Sequence, residues 1–310
     1  MSLLSIGTLA FDAIETPFGK TDKIVGGACT YIAIAASYFV KESRVVSVVG
    51  GDFPKDCLAD LEKRGVDLEG LQIKENEKSF FWSGKYHTDM NTRDTLATEL
   101  NVLETFDPII PDSYKNDTEF LMLGNLVPAV QMQVIERLAN RPKLVVLDTM
   151  NFWMDIMMDD LKKVLKHVDV LTINDEEARQ LSGEYSLVKA ADVIREMGPK
   201  YLIIKKGEHG ALLFHGENVF FAPALPLAEV FDPTGAGDTF AGGFIGYLAK
   251  TGDLSFESMK RAIIYGSALA SFTVEKFGTE RIAELTQEDI EKRVERFVKL
   301  AHFDMDYATV

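Results

Sequence analysis

The 310-residue sequence predicts an α/β fold: a mostly parallel central sheet flanked by helices on both faces, with a small β-sheet lid. Two observations carry that prediction. Short β-branched apolar runs alternate with longer helical patterns through most of the chain, as parallel strands joined by helical crossovers require. The alternation then breaks twice, once for strands with no helix between them and once for helices with no strands.

In chain order, strands are expected at Leu3–Leu9, Val45–Val49, Phe120–Leu123, Leu144–Asp148, Val168–Ile173 and Tyr201–Lys205. Helices are expected between them at Gly27–Val40, Pro54–Lys63, Ala129–Ala139, Asp155–His167, Asp175–Ser182 and Leu187–Met197. The first break covers residues 71–105, where Phe80–Tyr86 and Leu96–Leu103 are β-like with polar alternation. With the turn-rich stretch at 12–24 they read as a small antiparallel lid on the sheet edge. The second break is a run of helices at Phe240–Ala249, Phe256–Val274 and Gln287–Phe303. No internal repeat or low-complexity tract appears, so a single domain over 1–310 is expected, with the lid inserted at about 12–24 and 71–105. Ligands of such sheets lie outside the carboxyl ends of the strands.

Lys and Arg total 33 against 48 Asp and Glu, a formal charge of −15. That argues against DNA or RNA as partner, because polyanion binding rests on clustered cations. A small anionic ligand is compatible, since backbone donors act locally. The two cysteines, Cys29 and Cys57, form neither a disulfide framework nor a CxxC pair and fit a reducing cytosol. The first seven residues lack the basic start of a signal peptide, and the longest apolar run, Tyr31–Val40, is too short to span a bilayer. A cytoplasmic protein without membrane association is the expectation.

The segment Asp232-Pro233-Thr234-Gly235-Ala236-Gly237-Asp238 carries the most chemistry. It places two glycines and a carboxylate at the first turn of a long apolar helix, where unpaired N–H groups and the helix dipole favour a phosphate. Asp238 beside such a site suits a base that takes a proton from an attacking hydroxyl. The same residues also read as N-caps, a turn proline and a first-turn acid, and on this segment alone both readings stay open. Rival motifs do not fit. There is no GxxxxGK[ST] string, Phe240 stands where a dinucleotide fingerprint needs its third glycine, the five histidines show no metal-ligand spacing, and protein-kinase strings are absent.

These residues resemble the C-terminal signature of the PfkB, or ribokinase-like, sugar and nucleoside kinases, and the resemblance covers nearly the whole chain. Gly7–Asp12 is similar to the family's first strand and its substrate-binding Asp, and Gly26-Gly27 to its diglycine. Val48–Asp52 with Lys63–Asp67 also matches, Asn174-Asp175-Glu176-Glu177 resembles its NxxE motif, and Lys205–Gly210 its KxGxxG. The resemblance implies a ribokinase-like fold with a β-sheet lid, ATP and Mg²⁺ as cofactors, and a set of roles. Gly235, Ala236 and Gly237 would donate N–H groups to the phosphoryl group and Asp238 would be the base. Glu177 would orient Mg²⁺ through water, and Asn174, Lys205, Gly207 and Gly278 would lie at the nucleotide. Asp232 and Thr234 resemble the K⁺ loop of some members, and the ion is left open. Asp12, Gly26, Gly27, Tyr31 and Asn151 would face the acceptor.

Departures from the family pattern bear on the acceptor. Tyr31 stands where the sugar kinases carry an Asn, and Asp148-Thr149-Met150-Asn151 shifts the expected Asn by one and lacks the following Arg. Loss of that Arg removes a bidentate partner for an anionic group. Tyr31, Phe80, Phe81, Trp82, Phe152 and Trp153 offer flat faces that suit a nucleobase, although core and lid packing explains such residues equally well. Arg93 is assigned no role. The reading is an ATP- and Mg²⁺-dependent kinase acting on a primary hydroxyl, with a nucleoside ahead of a free sugar. A catalytically inactive nucleotide- or sugar-binding sensor of the same fold is the alternative. An exposed lid edge could pair two copies into a homodimer.

Overall fold

The computed structural model of the chain describes residues 1–302. Phe303, the expected end of the last helix, lies outside the described residues. Fourteen strands occur: β1 Leu3–Ile6, β2 Ala10–Thr16, β3 Gly19–Lys20, β4 Ile24–Gly26, β5 Ser43–Gly50, β6 Val66–Lys74, β7 Phe81–Tyr86, β8 Arg93–Glu99, β9 Phe120–Leu123, β10 Leu144–Asp148, β11 Val170–Asn174, β12 Tyr201–Lys205, β13 Ala211–His215 and β14 Asn218–Ala222. The helices are α1 Ala28–Ser37, α2 Lys55–Lys63, α3 Asp112–Lys115, α4 Pro128–Arg137, α5 Asn151–Ile156, α6 Met158–Leu165, α7 Asp175–Ser182, α8 Leu187–Glu196, α9 Ala236–Thr251, α10 Phe256–Thr273, α11 Glu280–Ala283 and α12 Gln287–Ala301.

Nine strands form the large sheet in the order β14-β13-β12-β11-β10-β9-β1-β5-β6, parallel from β6 to β12 and antiparallel at β13 and β14. Its strands alternate between two cores. Leu4, Ile6, Leu121, Leu123, Val145, Leu147, Leu171 and Ile173 face α4, α6, α7 and α8, whereas Leu3, Phe120, Met122, Val146 and Val170 face α1, α9 and α10. Burial on both faces is why these strands read as unbroken apolar runs. The second face is packed at close range: a Cβ at Gly242 of α9 would press on the backbone of Ile32 in α1, so only hydrogen fits there. Among the described residues no helix is long and apolar enough to cross a membrane.

Several expectations are corrected. The first strand stops at Ile6, because the chain leaves the large sheet at Gly7 and enters the small sheet as β2. Residues 71–74 belong to β6 of the large sheet, so the lid is narrower than 71–105. The small sheet, β3-β2-β7-β8 with β4 on β2, is not wholly antiparallel, since β2 and β7 run parallel. Residues 101–103, expected as strand, form a 3₁₀ turn. The helix expected from Asp155 begins at Asn151 and is split at Met157, whose φ of −139° leaves the helical region. The hairpin of β13 and β14 was not expected, although Ala211–His215 and Asn218–Ala222 are two β-rich runs around Gly216-Glu217.

Candidate active site

The carboxyl ends of β10, β11 and β12, the starts of α1, α7 and α9, and one face of the small sheet enclose a cavity of about 1100 Å³. Among the helices that begin at this cavity, α1, α7 and α9 treat their first N–H groups differently. At α1, Thr8 accepts the N–H of Ala28 on its hydroxyl at 3.0 Å and that of Cys29 on its carbonyl at 2.9 Å. At α7, Asn174 and Glu177 form a reciprocal capping box, with Glu177 N–H to Asn174 Oδ1 at 2.7 Å and Asn174 N–H to Glu177 Oε2 at 2.8 Å. At the sixteen-residue α9 the cap residue is Gly235, with φ of 74° and no side chain to offer.

The turn leading into α9 is held from both ends. Asp232 accepts the N–H of Thr234 at 2.8 Å and, through its other oxygen, that of Gly278 at 2.9 Å. The Ala236 N–H donates to the Pro233 carbonyl at 3.2 Å. Of the three donors expected at 235–237, Ala236 is therefore engaged. Gly235 and Gly237 have N–H groups that no described residue accepts, and the Asp238 N–H meets only its own carboxylate. Open donors at the positive end of a helix favour an anion there.

Charge around that point is mostly negative. Asp148, at the end of β10, holds the Lys205 ammonium at 2.7 Å, and Lys205 lies against Gly237. Burial, then Asp148, pushes the Asp238 carboxyl well above the usual range, while Lys205 and Arg93 oppose the shift. Burial raises Glu177 to about 7, with Lys205 opposing and Asp148 adding to it. Asp12 is raised to about 7 by burial first, with the Gly27 N–H opposing and Asp232 and Asp238 adding. Burial works against the Lys205 charge, but Asp148 and Glu177 hold its pKa up.

The expected site residues divide by position. Asp12, Gly27, Tyr31, Asn174, Glu177, Lys205, Gly207, Thr234, Gly235, Ala236, Gly237 and Asp238 line the cavity. Gly26 stands behind Asp12, whose carboxylate takes the space a side chain would need. Asp232 and Gly278 are joined to each other outside the lining. The Asn151 amide donates to Gln180 at 2.6 Å rather than into the cavity, because residue 151 opens α5. Phe80, Trp82, Phe152 and Trp153 line the cavity, and Phe81 packs into the core.

Arg93 was missed. It lines the cavity from β8 and lowers Asp238, Glu177 and the Tyr86 phenol together, which places its charge among them. The legible signal is strand period, since Thr95 lines the cavity while Leu96 is exposed. The lid turn at 87–92 rests on the Gly207 loop, with the Asn91 side chain in the space a Cβ at Gly207 would occupy. Tyr86 accepts a hydrogen bond from the Thr234 hydroxyl at 3.3 Å.

A carboxyl raised on folding binds its proton in the native state, so its stabilising contribution is complete below the unfolded value and is lost as pH rises to the folded one. Asp12, Glu177 and Asp238 therefore make the ligand-free protein less stable as pH rises from about 4 to about 7. In thermal melts of the ligand-free protein, the margin by which Asp238→Asn exceeds the wild type is expected to grow from pH 5 to pH 8.

The profile of the pfkB family carbohydrate kinases matches residues 2–285. A cytidine kinase of Thermococcus kodakarensis is 30% identical over 251 residues, covering 79% of this chain and 87% of the relative. The crystal structure of the Methanocaldococcus jannaschii nucleoside kinase superposes with a TM-score of 0.75 at 21% identity, covering 96% of this chain and 99% of that one. A putative ribokinase II from E. coli in complex with ATP and Mg²⁺ superposes at 0.76 with 20% identity, over 95% and 99% of the two chains. At such identities the structures show the ribokinase-like fold, while the profile match spans the anion turn, the capping box of α7 and both sheets. The chain belongs to the pfkB family of carbohydrate kinases.

Proposed function

We propose that this kinase transfers the γ-phosphoryl group of ATP to a primary hydroxyl of a nucleoside, with a free sugar as the second acceptor class. The observation that carries the transfer step is Asp238, half-buried in the first turn of α9 on the cavity wall with Lys205 and Arg93 beside it. The Asp238 carboxylate takes the proton of the attacking hydroxyl, and a raised pKa makes it a better match for that task at neutral pH. The N–H groups of Gly235 and Gly237, with Lys205 and Arg93, face the charge that spreads over the phosphoryl oxygens. A lid strand supplies Arg93, so closure over the cavity adds a cation and excludes water at the same time.

Mg²⁺ fits the donors present. Among the described residues no three His, Cys, Asp or Glu side chains are grouped to hold a metal alone, which suits an ion that shares few carboxylates with substrate phosphates. Glu177 and Asp148 would hold it through water, and when bound it neutralises phosphate charge. Asn174, Lys205 and Gly207 would lie along the nucleotide. The fully buried Asp232 has no cationic partner among the described residues, which supports a monovalent cation at the 232–234 loop.

The acceptor reading rests on the aromatic faces of Phe80, Trp82, Phe152 and Trp153 and on the lack of an Arg just after Asn151, where Phe152 and Trp153 follow. It also agrees with the acceptors named for the cytidine and nucleoside kinases above. No observation favours the binding-only alternative. Coupled ADP release with cytidine, adenosine, inosine, guanosine, ribose and fructose is expected to favour a nucleoside, and faster turnover of the free sugars would reverse the order. Asp238→Asn is expected to keep ATP binding by calorimetry and lose about 10²–10⁴-fold in kcat. Arg93→Ala is expected to cost about 10²-fold in kcat with little change in nucleotide affinity, read from steady-state rates against ATP.

A further inference from the structure

The Val48–Asp52 segment singled out in the sequence has no part in the transfer step. It runs out of β5 of the large sheet, and Asp52 stands outside the cavity lining, against the connection that leads from β6 into the lid. Two backbones meet there without side chains between them. A Cβ at Gly50 would overlap the Glu77 carbonyl oxygen, and one at Gly51 that of Glu75. The Gly51 N–H donates to the Lys74 and Glu77 carbonyls, so the connection is seated on this turn.

Asp52 then fastens it. Its Oδ1 accepts both the N–H and the hydroxyl of Ser79 at 2.8 Å, and the Ser79 hydroxyl accepts the Gly50 N–H at 3.0 Å. Ser79 is 2% exposed and stands two residues before β7. Its carbonyl accepts the side-chain amide of Asn101 at 2.9 Å, and the Val102 N–H donates to the Lys78 carbonyl at 3.2 Å. Asn101 follows β8 by two residues and holds a φ of 47°, a conformation Asn adopts more readily than most residues. Both ends of the β7–β8 hairpin are thus gathered at Ser79 and tied to the large sheet through one carboxylate. Asp52 Oδ2 also meets Lys23 of the small sheet at 3.0 Å, and Lys23 lies over the Phe11 ring. That ion pair is partly exposed and contributes little, so the bonds to the buried Ser79 carry the link.

Arg93 opens β8 and pairs with Tyr86 at the far end of this hairpin. The strand between base and tip is roughly 20 Å long, so a tilt of about 3° at the base moves Arg93 by about 1 Å. A misplacement of that size costs up to about 10²-fold in rate. Resting on the kinase reading above, we propose that Asp52 is a positioning residue: by clasping Ser79 it sets the tilt of the β7–β8 hairpin and so brings the Arg93 guanidinium to the transferring phosphoryl group.

The test is a double-mutant cycle of Asp52→Ala with Arg93→Ala, read in kcat and in KM for ATP. Asp52→Ala is expected to lose about ten-fold in kcat with KM for ATP within about two-fold of wild type. In the Arg93→Ala background the same change is expected to cost less than about two-fold, because the group it places is already gone. Asp52→Asn, which keeps an oxygen for Ser79, is expected to recover most of the kcat. A second readout needs no turnover. Trp82 on β7 and Trp153 on α5 are the two tryptophans, so in a Trp153→Phe background acrylamide quenching reports the lid alone. Asp52→Ala is expected to raise the Trp82 quenching constant with the far-UV circular dichroism unchanged. Equal losses in both backgrounds, or no loss in kcat, would overturn the inference and leave the kinase reading standing. An Arg93→Ala protein as active as wild type would remove Arg93 from the transfer step and the inference with it. Wild-type protein that turns over no acceptor would overturn the kinase reading, and unchanged Trp82 quenching would then overturn the clasp as well.

Discussion

Much of this site depends on one constraint: five carboxylates gather around the start of one helix, with Asp12, Asp148, Glu177 and Asp232 buried and Asp238 half-buried. Little water reaches the four buried ones, and three of the five are satisfied by a specific device. Asp232 is satisfied by two backbone N–H groups, Asp148 by Lys205, and Glu177 by its own capping box. Asp12 and Asp238 have the fewest protein partners, and both carry a raised pKa. Groups held that way are poised to exchange a proton or take a hydrogen bond from an incoming molecule. The rest of the architecture serves to bring these five residues, from β2, β10, α7 and the α9 turn, to one place.

The starts of α1, α7 and α9 show how the same local physics is used differently. Thr8 closes the start of α1 and the Asn174–Glu177 box closes that of α7, so neither offers free donors. The start of α9 is open because Gly235 has no side chain and the ring of Tyr31 fills the space beside it. Of these three starts only that of α9 offers free donors, which favours an anion there. The Asp232 link to Gly278 ties that start to the segment after α10, so the turn is positioned by the core and not only by its own sequence.

The lid contributes chemistry as well as cover. Arg93 adds positive charge near Asp238 and Glu177, Tyr86 meets Thr234, and Asn91 rests on the Gly207 loop. These contacts join the small sheet to both the start of α9 and the 206–210 loop. In this arrangement a cation and cover over the cavity come from the same element.

The sequence by itself determined the alternation of strands and helices, because a strand buried on both faces must be apolar throughout, and Tyr201–Lys205 and Asp175–Ser182 stand where the pattern places them. It also showed the 232–238 turn, since glycine, proline and aspartate act locally through backbone geometry and helix capping. Tertiary structure decided the rest. Which N–H groups stay free depended on the Pro233 carbonyl, the partner of Asp148 lies 57 residues away on β12, and the Asn151 amide is drawn to Gln180 from a different helix. Arg93 could be placed on a strand but not beside Asp238, because strand period gives a face and only the lid's closure over the large sheet gives that face its neighbours. Electrostatics and hydrogen bonding between distant segments are set by packing, which a local pattern does not encode.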